Sequence, residues 1–432
     1  MDIAQAKQQI KDTVRVYLER DEKGEYCVPL VHQRPVYLQG APGLGKTAVM
    51  QQISYEMGIG LVSYSMTHHT RQSAIGLPMI VDKVFAGEHY SVSEYTMSEI
   101  IASVYECMES TGKKEGILFL DEINCISETL MPSMLLFLQY KTFGGHTLPE
   151  GWVVVTAGNP KQYNKSAREF DPAIKDRLQF LKVEPQYDSW RTYALEKGIS
   201  GVIKSYLDIK TEHFYAVENT VEGLTVVTPR SWEDLSKNLQ SRERLGISID
   251  ENLIGQFLQN VDIARDFAVY YELYKKYEND FDADAILAGS IEEDRILKAK
   301  AMPLRDRITC MELLTEALFH HMEQCLTEYD ALKAAKQELS SEQEKAEYQK
   351  NLMQLKTNVS VVQSEIENVI NYTKAAYGKG NEISMLMNDM TMAPVAVRFL
   401  GMFLNGAYVK SSKEVSLHHQ EEELLKQIDV SL

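Results

Sequence analysis

Hydrophobic positions follow two rhythms along this chain before settling into one. Ile3, Ala6, Ile10, Val14, Tyr17 and Leu18 recur at helical spacing and predict an N-terminal helix over 2–20. From there to about residue 184, short apolar runs at 35–39, 61–66, 116–120, 152–156 and 178–183 read as buried strands. Helix-like stretches lie between several of them, and such alternation predicts a parallel sheet with helices on its faces. The segment 70–96 breaks the rhythm: Gly76-Leu77-Pro78 leads into an alternating stretch, 79–90, with a turn at Gly87. This predicts a hairpin-bearing insertion. From about Gln186 onward no further strand is expected, and Pro229 after Thr228 marks a helix start.

The region from Pro303 to Gly378 has no Gly or Pro between those two residues. Leu318, Met322, Cys325, Tyr329 and Leu332 step by fours and threes, with Leu339 one heptad further on; after the polar stretch 340–350, Leu352, Leu355, Val359, Val362, Ile366 and Val369 step by threes and fours again. Two such seams fit an antiparallel helical hairpin, one long dimerising coil, or the core stripes of a helical domain. The Met-rich apolar stretch 385–408 is expected to pack as core, although soft Met surfaces also serve as partner sites.

With 432 residues the chain has room for about two or three domains. The reading divides it into an α/β domain at 1–185, an all-α lid at 186–279 and a C-terminal helical domain with long helices at 280–432. The formal net charge of −17 argues against a protein that coats nucleic acid, whose binding relies on clustered Lys and Arg. A local basic patch stays open, because net charge is a sum and not a map. Cys27, Cys107, Cys125, Cys310 and Cys325 are scattered without a C-x-x-C pair, which points to reduced thiols and not to a metal site. The polar start, 1–9, has no apolar segment of a signal peptide, and no run is long enough to span a membrane, so a cytoplasmic protein is expected. His68-His69 is a poor metal pair, since adjacent side chains on a strand point apart.

Five stretches carry candidate chemistry. Gly40-Ala41-Pro42-Gly43-Leu44-Gly45-Lys46-Thr47 fits the P-loop spacing, between a short strand and a helix-compatible segment. Its backbone N–H groups can cradle phosphate, Lys46 can reach the β- and γ-phosphates, and the Thr47 hydroxyl can bind Mg²⁺. The apolar strand Ile117-Leu118-Phe119-Leu120 ends in Asp121-Glu122. Asp121 can hold Mg²⁺ and Glu122 can polarise an attacking water. The strand Val153-Val154-Val155-Thr156 leads to Asn159-Pro160, where an amide can face that water or the γ-phosphate. Arg177, before the last strand, and Arg230, in the following helical region, can neutralise charge on a transferring phosphoryl group.

In this order the elements resemble an AAA+ ATPase, most closely the MoxR-like branch, over about 31–245. The Asp121-Glu122-Ile123-Asn124 run, the Asn159-Pro160 pair and the insertion at 76–90 carry the branch flavour. The resemblance implies Walker A at Gly40 to Thr47, Walker B ending in Asp121 and Glu122, sensor 1 at Asn159, an arginine finger at Arg177 and sensor 2 at Arg230. Arg168 is a second finger candidate. Cys125 stands where relatives often carry Arg, and the pre-sensor hairpin region, 143–151, is short. The resemblance further implies ATP and Mg²⁺ as cofactors and hydrolysis at the interfaces of a homo-oligomeric ring, usually a hexamer. It implies work on a client protein, for which a von Willebrand A-type protein is one expectation. The rival readings are a nucleotide-gated scaffold with little turnover, which the intact Glu122 speaks against, and a DNA-directed AAA+ motor, which the acidic balance speaks against.

Overall fold

A computed structural model of the chain describes residues 1–68, 74–164, 166–220, 223–290, 292–336, 342–378 and 380–404. They form two compact units: unit 1 is 1–189 with 228–230, and unit 2 is 190–227 with 231–432.

Unit 1 runs α1 (Ile3–Tyr17), β1 (Val36–Gly40), α2 (Lys46–Met57), β2 (Gly60–Ser65), β3 (Pro78–Phe85), β4 (Glu88–Tyr95), α3 (Glu99–Thr111), β5 (Gly116–Asp121), α4 (Met131–Tyr140), β6 (Thr142–Phe143), β7 (His146–Thr147), β8 (Trp152–Gly158), α5 (Pro172–Asp176) and β9 (Gln179–Val183). Helix α1 opens with a capping box: Asp2 Oδ1 accepts from the Gln5 N–H at 2.7 Å, and Gln5 Oε1 accepts from the Asp2 N–H at 3.2 Å. It buries Ala6, Ile10 and Val14, the predicted stripe.

Every apolar run read as a strand is one, and the five form a parallel sheet in the order β2-β5-β8-β1-β9. All seven residues of β8 are buried. Burial on both faces explains why these strands read as continuous apolar runs and not as alternation. Leu118, Leu120 and Val154 of the sheet pack with Ile100 and Val104 of α3 and Phe137 of α4. The insertion is the antiparallel hairpin β3–β4, longer than the alternating stretch suggested, turning at Ala86-Gly87. The short pre-sensor segment holds only the two-residue strands β6 and β7.

Unit 2 contains most of α6 (Tyr187–Glu196), then α7 (Gly201–Ile209), β10 (Ala216–Thr220), β11 (Gly223–Val227), most of α8 (Pro229–Leu245), α9 (Glu251–Phe257), α10 (Val261–Asp280), α11 (Ala283–Leu287), α12 (Glu293–Ala301), α13 (Leu304–Ala335), α14 (Glu342–Tyr377), α15 (Asn381–Met392) and α16 (Pro394–Phe403). Strands do not end at residue 186: β10 and β11 pair antiparallel, Ala216 opposite Val227. Their faces stay part-exposed, with Val217 and Leu224 each 37% accessible, so no buried run announced them.

The two seams meet each other. Thr373 Oγ1 donates to Met311 Sδ at 3.7 Å, His321 Nδ1 lies 2.9 Å from Glu365 Oε2, and Asn358 Nδ2 donates to Glu328 Oε2 at 2.9 Å. Numbers rise on α13 as they fall on α14, so the pair is antiparallel. Leu318, Met322, Cys325 and Leu332 are buried in one cluster with Leu355, Val359, Val362, Ile366 and Val369. A dimerising coil is not needed to cover either seam. Leu339 lies outside the described residues. Met387, Met390, Phe399 and Phe403 join the same core, as expected of the Met-rich stretch.

No compact unit begins at 280; the expected lid and the C-terminal helices share one unit. Buried charges tie them. Arg191 Nε donates to Asp208 Oδ1 at 2.9 Å, its Nη1 to Asp389 Oδ1 at 2.5 Å, and its Nη2 stands 3.7 Å from Glu312 Oε2. Lys204 Nζ meets Glu312 Oε1 at 2.6 Å. Glu316 accepts from the Gly201 N–H at 2.7 Å and from the Tyr274 hydroxyl at 2.9 Å. The cluster therefore pins α6, α7, α10, α13 and α15 together.

Candidate nucleotide site

Sheet order assembles the site. Strand β8 lies between β5 and β1, so Asp121, Asn159 and the loop after β1 emerge side by side at the carboxyl ends of three neighbouring strands. That edge is where open α/β sheets bind ligands.

The loop after β1 turns through Gly43 and Gly45, with φ of 77° and 85°. Gly43 also has no room for a side chain: an added Cβ would sit 2.6 Å from the Thr228 side chain. The Arg230 N–H donates to the Gly43 carbonyl at 3.3 Å, so the loop is tied directly to the segment carrying Arg230.

Lys46 is buried at the start of α2, 8% exposed. Its Nζ donates to the Gly40 and Ala41 carbonyls and to Asn159 Oδ1, each at 2.8 Å. Burial pulls its pKa down to about 8, with nearby Arg230 pushing the same way and Asp121 and Glu122 opposing. Thr47 Oγ1 donates to Asp121 Oδ2 at 2.9 Å. This hydroxyl–carboxylate pair is an oxygen-only donor set of the kind Mg²⁺ takes. Glu122 sits in left-handed backbone at φ 55°, uncommon for a residue with a side chain. Its N–H donates to Asp121 Oδ1 at 2.9 Å, and Ser65 Oγ donates to Glu122 Oε2 at 3.4 Å. The constraint turns Glu122 off the strand axis beside Asp121.

Pro42, Gly43, Leu44, Gly45, Lys46, Thr47, Asp121, Glu122, Asn159 and Arg230 together line one pocket of about 160 Å³. That is less than the roughly 300–1,000 Å³ that encloses a whole ligand, so it suits the phosphate end of one. Gly40 and Ala41 contribute through their carbonyls behind it. Arg177 is elsewhere: exposed at the C-terminal end of α5, it does not line the pocket. Arg168 pairs with Glu128 at 2.9 Å and does not line it either. His69 lies outside the described residues, and among those residues no cluster of three His, Cys, Asp or Glu could hold a metal.

Asn124 has a role that the sequence did not reveal. It is 1% exposed, and its Nδ2 donates to the Asn159 carbonyl at 2.8 Å. Its own carbonyl accepts from the Arg168 N–H at 2.9 Å. A Cβ on Gly158 would lie 2.3 Å from Asn124 Oδ1, so that glycine makes the room Asn124 occupies. The signal was there in the Asp121-Glu122-Ile123-Asn124 run, but its partner, Asn159, follows a different strand, β8. Cys125 accepts a contact from Asn164 Nδ2 at 3.3 Å, and burial raises its thiol pKa.

Residues 35–178 match the family model of the AAA domain (dynein-related subfamily). Among solved structures, the chain is similar to two single-substitution mutants of RuvB from Thermotoga maritima. Both are 14% identical; the TM-scores are 0.34 and 0.33, with 60% and 62% of this chain and 69% of each RuvB chain covered. No curated protein matches the sequence. The segment that matches, residues 35–178, holds the P-loop and the strands β1, β2, β5 and β8 of the parallel sheet.

Proposed function

We propose that the chain is an ATPase of the MoxR-like AAA+ kind that hydrolyses ATP between subunits of a ring, a hexamer by family expectation, and uses the cycle to remodel, assemble or activate a client protein. One observation carries the reading: Lys46, Thr47, Asp121, Glu122, Asn159 and Arg230 line a single pocket, while Arg177 stands exposed outside it.

In this mechanism the Gly43 and Gly45 turn presents backbone N–H groups to the phosphates. Lys46 exchanges its carbonyl partners for phosphate oxygens, which restores the charge that burial opposes. Thr47 and Asp121 would hold Mg²⁺, which when bound supplies positive charge at the phosphates. Glu122, turned beside Asp121, orients the attacking water, and Asn159 fixes its other side. Arg230 answers the charge of its own subunit's nucleotide. Arg177 serves the neighbour's, with Arg168 the second candidate. Arginine fingers are worth about 10³–10⁵ in rate, so an isolated subunit turns over slowly. The client meets the hairpin β3–β4, whose Ile80, Val84, Phe85 and Tyr90 are exposed. A von Willebrand A-type partner remains the family's suggestion for that client.

Mixing two inactive variants tests the shared site. Glu122→Gln and Arg177→Ala should each be inactive alone, and an equimolar mixture should regain hydrolysis, because some interfaces then combine an intact Glu122 with an intact Arg177. A mixture as inactive as its components would overturn the shared-site reading.

A further inference from the structure

A second, larger cavity of 630 Å³ begins at Pro160, the residue after Asn159. Register builds its floor. Tyr37 lies opposite Phe180 and Gln39 opposite Lys182, so period-two alternation puts all four on one face of β1 and β9. Lys161, Arg168 and Lys175 complete the wall, and among the described residues Glu169 is the only acid lining it. Four cations converge on one cavity in a chain whose net charge is −17. Arg168 and Lys182 have exposed carboxylate partners, Glu128 and Glu184. Such exposed pairs hold little energy and give way to a better anion. Among the described residues no carboxylate pairs with Lys161 or Lys175. Unneutralised like charges around a concave surface raise the local potential and favour an anion.

The floor adds a second requirement. Phe180 is 38% exposed, its ring 5.2 Å from that of the buried Tyr37. An open aromatic face flanked by cations accepts a stacked planar group, and the Gln39 and Gln162 amides can meet a base edge. The volume lies within the roughly 300–1,000 Å³ of small-molecule sites.

We infer that this cavity is a second binding site, separate from the P-loop, for a nucleoside polyphosphate, and that its occupancy is transmitted to Asn159. The path is short. The cavity takes in Pro160, Lys161 and Arg168, and Asn124 holds both ends of that segment through the Asn159 carbonyl and the Arg168 N–H. A ligand drawing in Lys161 and Arg168 pulls on the two points that fix Asn159. The transmission rests on Asn159 acting in the P-loop site; the binding does not.

Titration calorimetry of the full chain with the non-hydrolysable analogue AMP-PNP and Mg²⁺ tests the binding. Wild type should bind two per chain and Lys46→Ala one, with the remaining affinity falling as salt rises. Adding Lys161→Ala and Lys175→Ala to Lys46→Ala should weaken that remaining site at least tenfold, with the circular dichroism spectrum unchanged. One nucleotide on wild type and none on Lys46→Ala would overturn the inference, as would a triple variant that binds like Lys46→Ala. Two on Lys46→Ala would instead sink the P-loop reading and leave the cavity standing. Tripolyphosphate, which lacks the ring, should bind the Lys46→Ala protein at least tenfold more weakly; equal affinity would refute the nucleoside part. For transmission, the ATP dependence of hydrolysis should show a second phase that Lys161→Ala/Lys175→Ala abolishes, and a single phase in both proteins would refute it.

Discussion

Replacing Asn124 with Asp keeps the shape of the side chain and removes its donor. In the folded chain that donor satisfies the Asn159 carbonyl at 2.8 Å, in a place where Asn124 is 1% exposed. Leaving that part-buried carbonyl without its partner costs at most about 1–3 kcal/mol, and the substitution would also set a carboxylate against it. At about 1.4 kcal/mol per tenfold in rate, the ceiling on kcat is a loss of roughly 5- to 150-fold. Part of the cost is relieved when the Asn159 loop relaxes, so we expect kcat for ATP hydrolysis to fall about tenfold. Asn124→Ala should show a similar loss. Nucleotide affinity, measured with a fluorescent ATP analogue, should change by less than about threefold, because Asn124 bonds Asn159 and Arg168 and does not line the phosphate pocket. The reasoning fails if both variants fold, bind nucleotide and keep kcat within about twofold of wild type.

Three further expectations concern buried charge. The Lys46 ammonium is held down to about 8 by burial, and phosphate favours its charged form. Nucleotide affinity should therefore be level below about pH 8 and fall roughly tenfold per unit above it; affinity that stays flat to about pH 9.5 would contradict this. In unit 2, Arg191→Met strands Asp208, Asp389 and Glu312 together, and breaking such a buried pair costs about 3–5 kcal/mol. Urea unfolding followed on the helical unit should show it, and a loss under about 1 kcal/mol would be too small for the role assigned. Burial raises the Asp389 carboxyl from 3.8 to about 6, although Arg191 pulls the other way. The folded state thus holds that proton more tightly than the unfolded state. Its contribution to stability is complete below 3.8 and is lost as pH rises through about 6. The Asp389→Asn protein should lack this component of the pH–stability curve, and an unchanged curve would remove the assignment.

What could be read in advance follows from how local each signal is. The five core strands are buried on both faces and so appear as bare apolar runs, and the phosphate loop is encoded in eight consecutive residues from Gly40 to Thr47. The seams of α13 and α14 were visible for the same reason, but nothing local in either seam names the other as its partner. Asn124 was legible as part of a motif and illegible in purpose, because its partner Asn159 follows β8, a different strand. Half-exposed strands such as β10 and β11 leave no apolar run. Arg191, Lys204 and Glu312 look like surface residues one at a time, and only their meeting makes them a buried cluster that fuses the expected lid with the C-terminal helices. The acidic total likewise hid the four cations that β1, β9 and their neighbours gather around Phe180.

The central claim is that the residues around Lys46 hydrolyse ATP and depend on a neighbouring subunit to do so. Steady-state hydrolysis across a protein-concentration series, with wild type and Glu122→Gln side by side, tests it most directly. The account predicts specific activity that rises with wild-type concentration and vanishes in Glu122→Gln while nucleotide binding persists. Wild-type turnover no greater than that of Glu122→Gln at every concentration would contradict it.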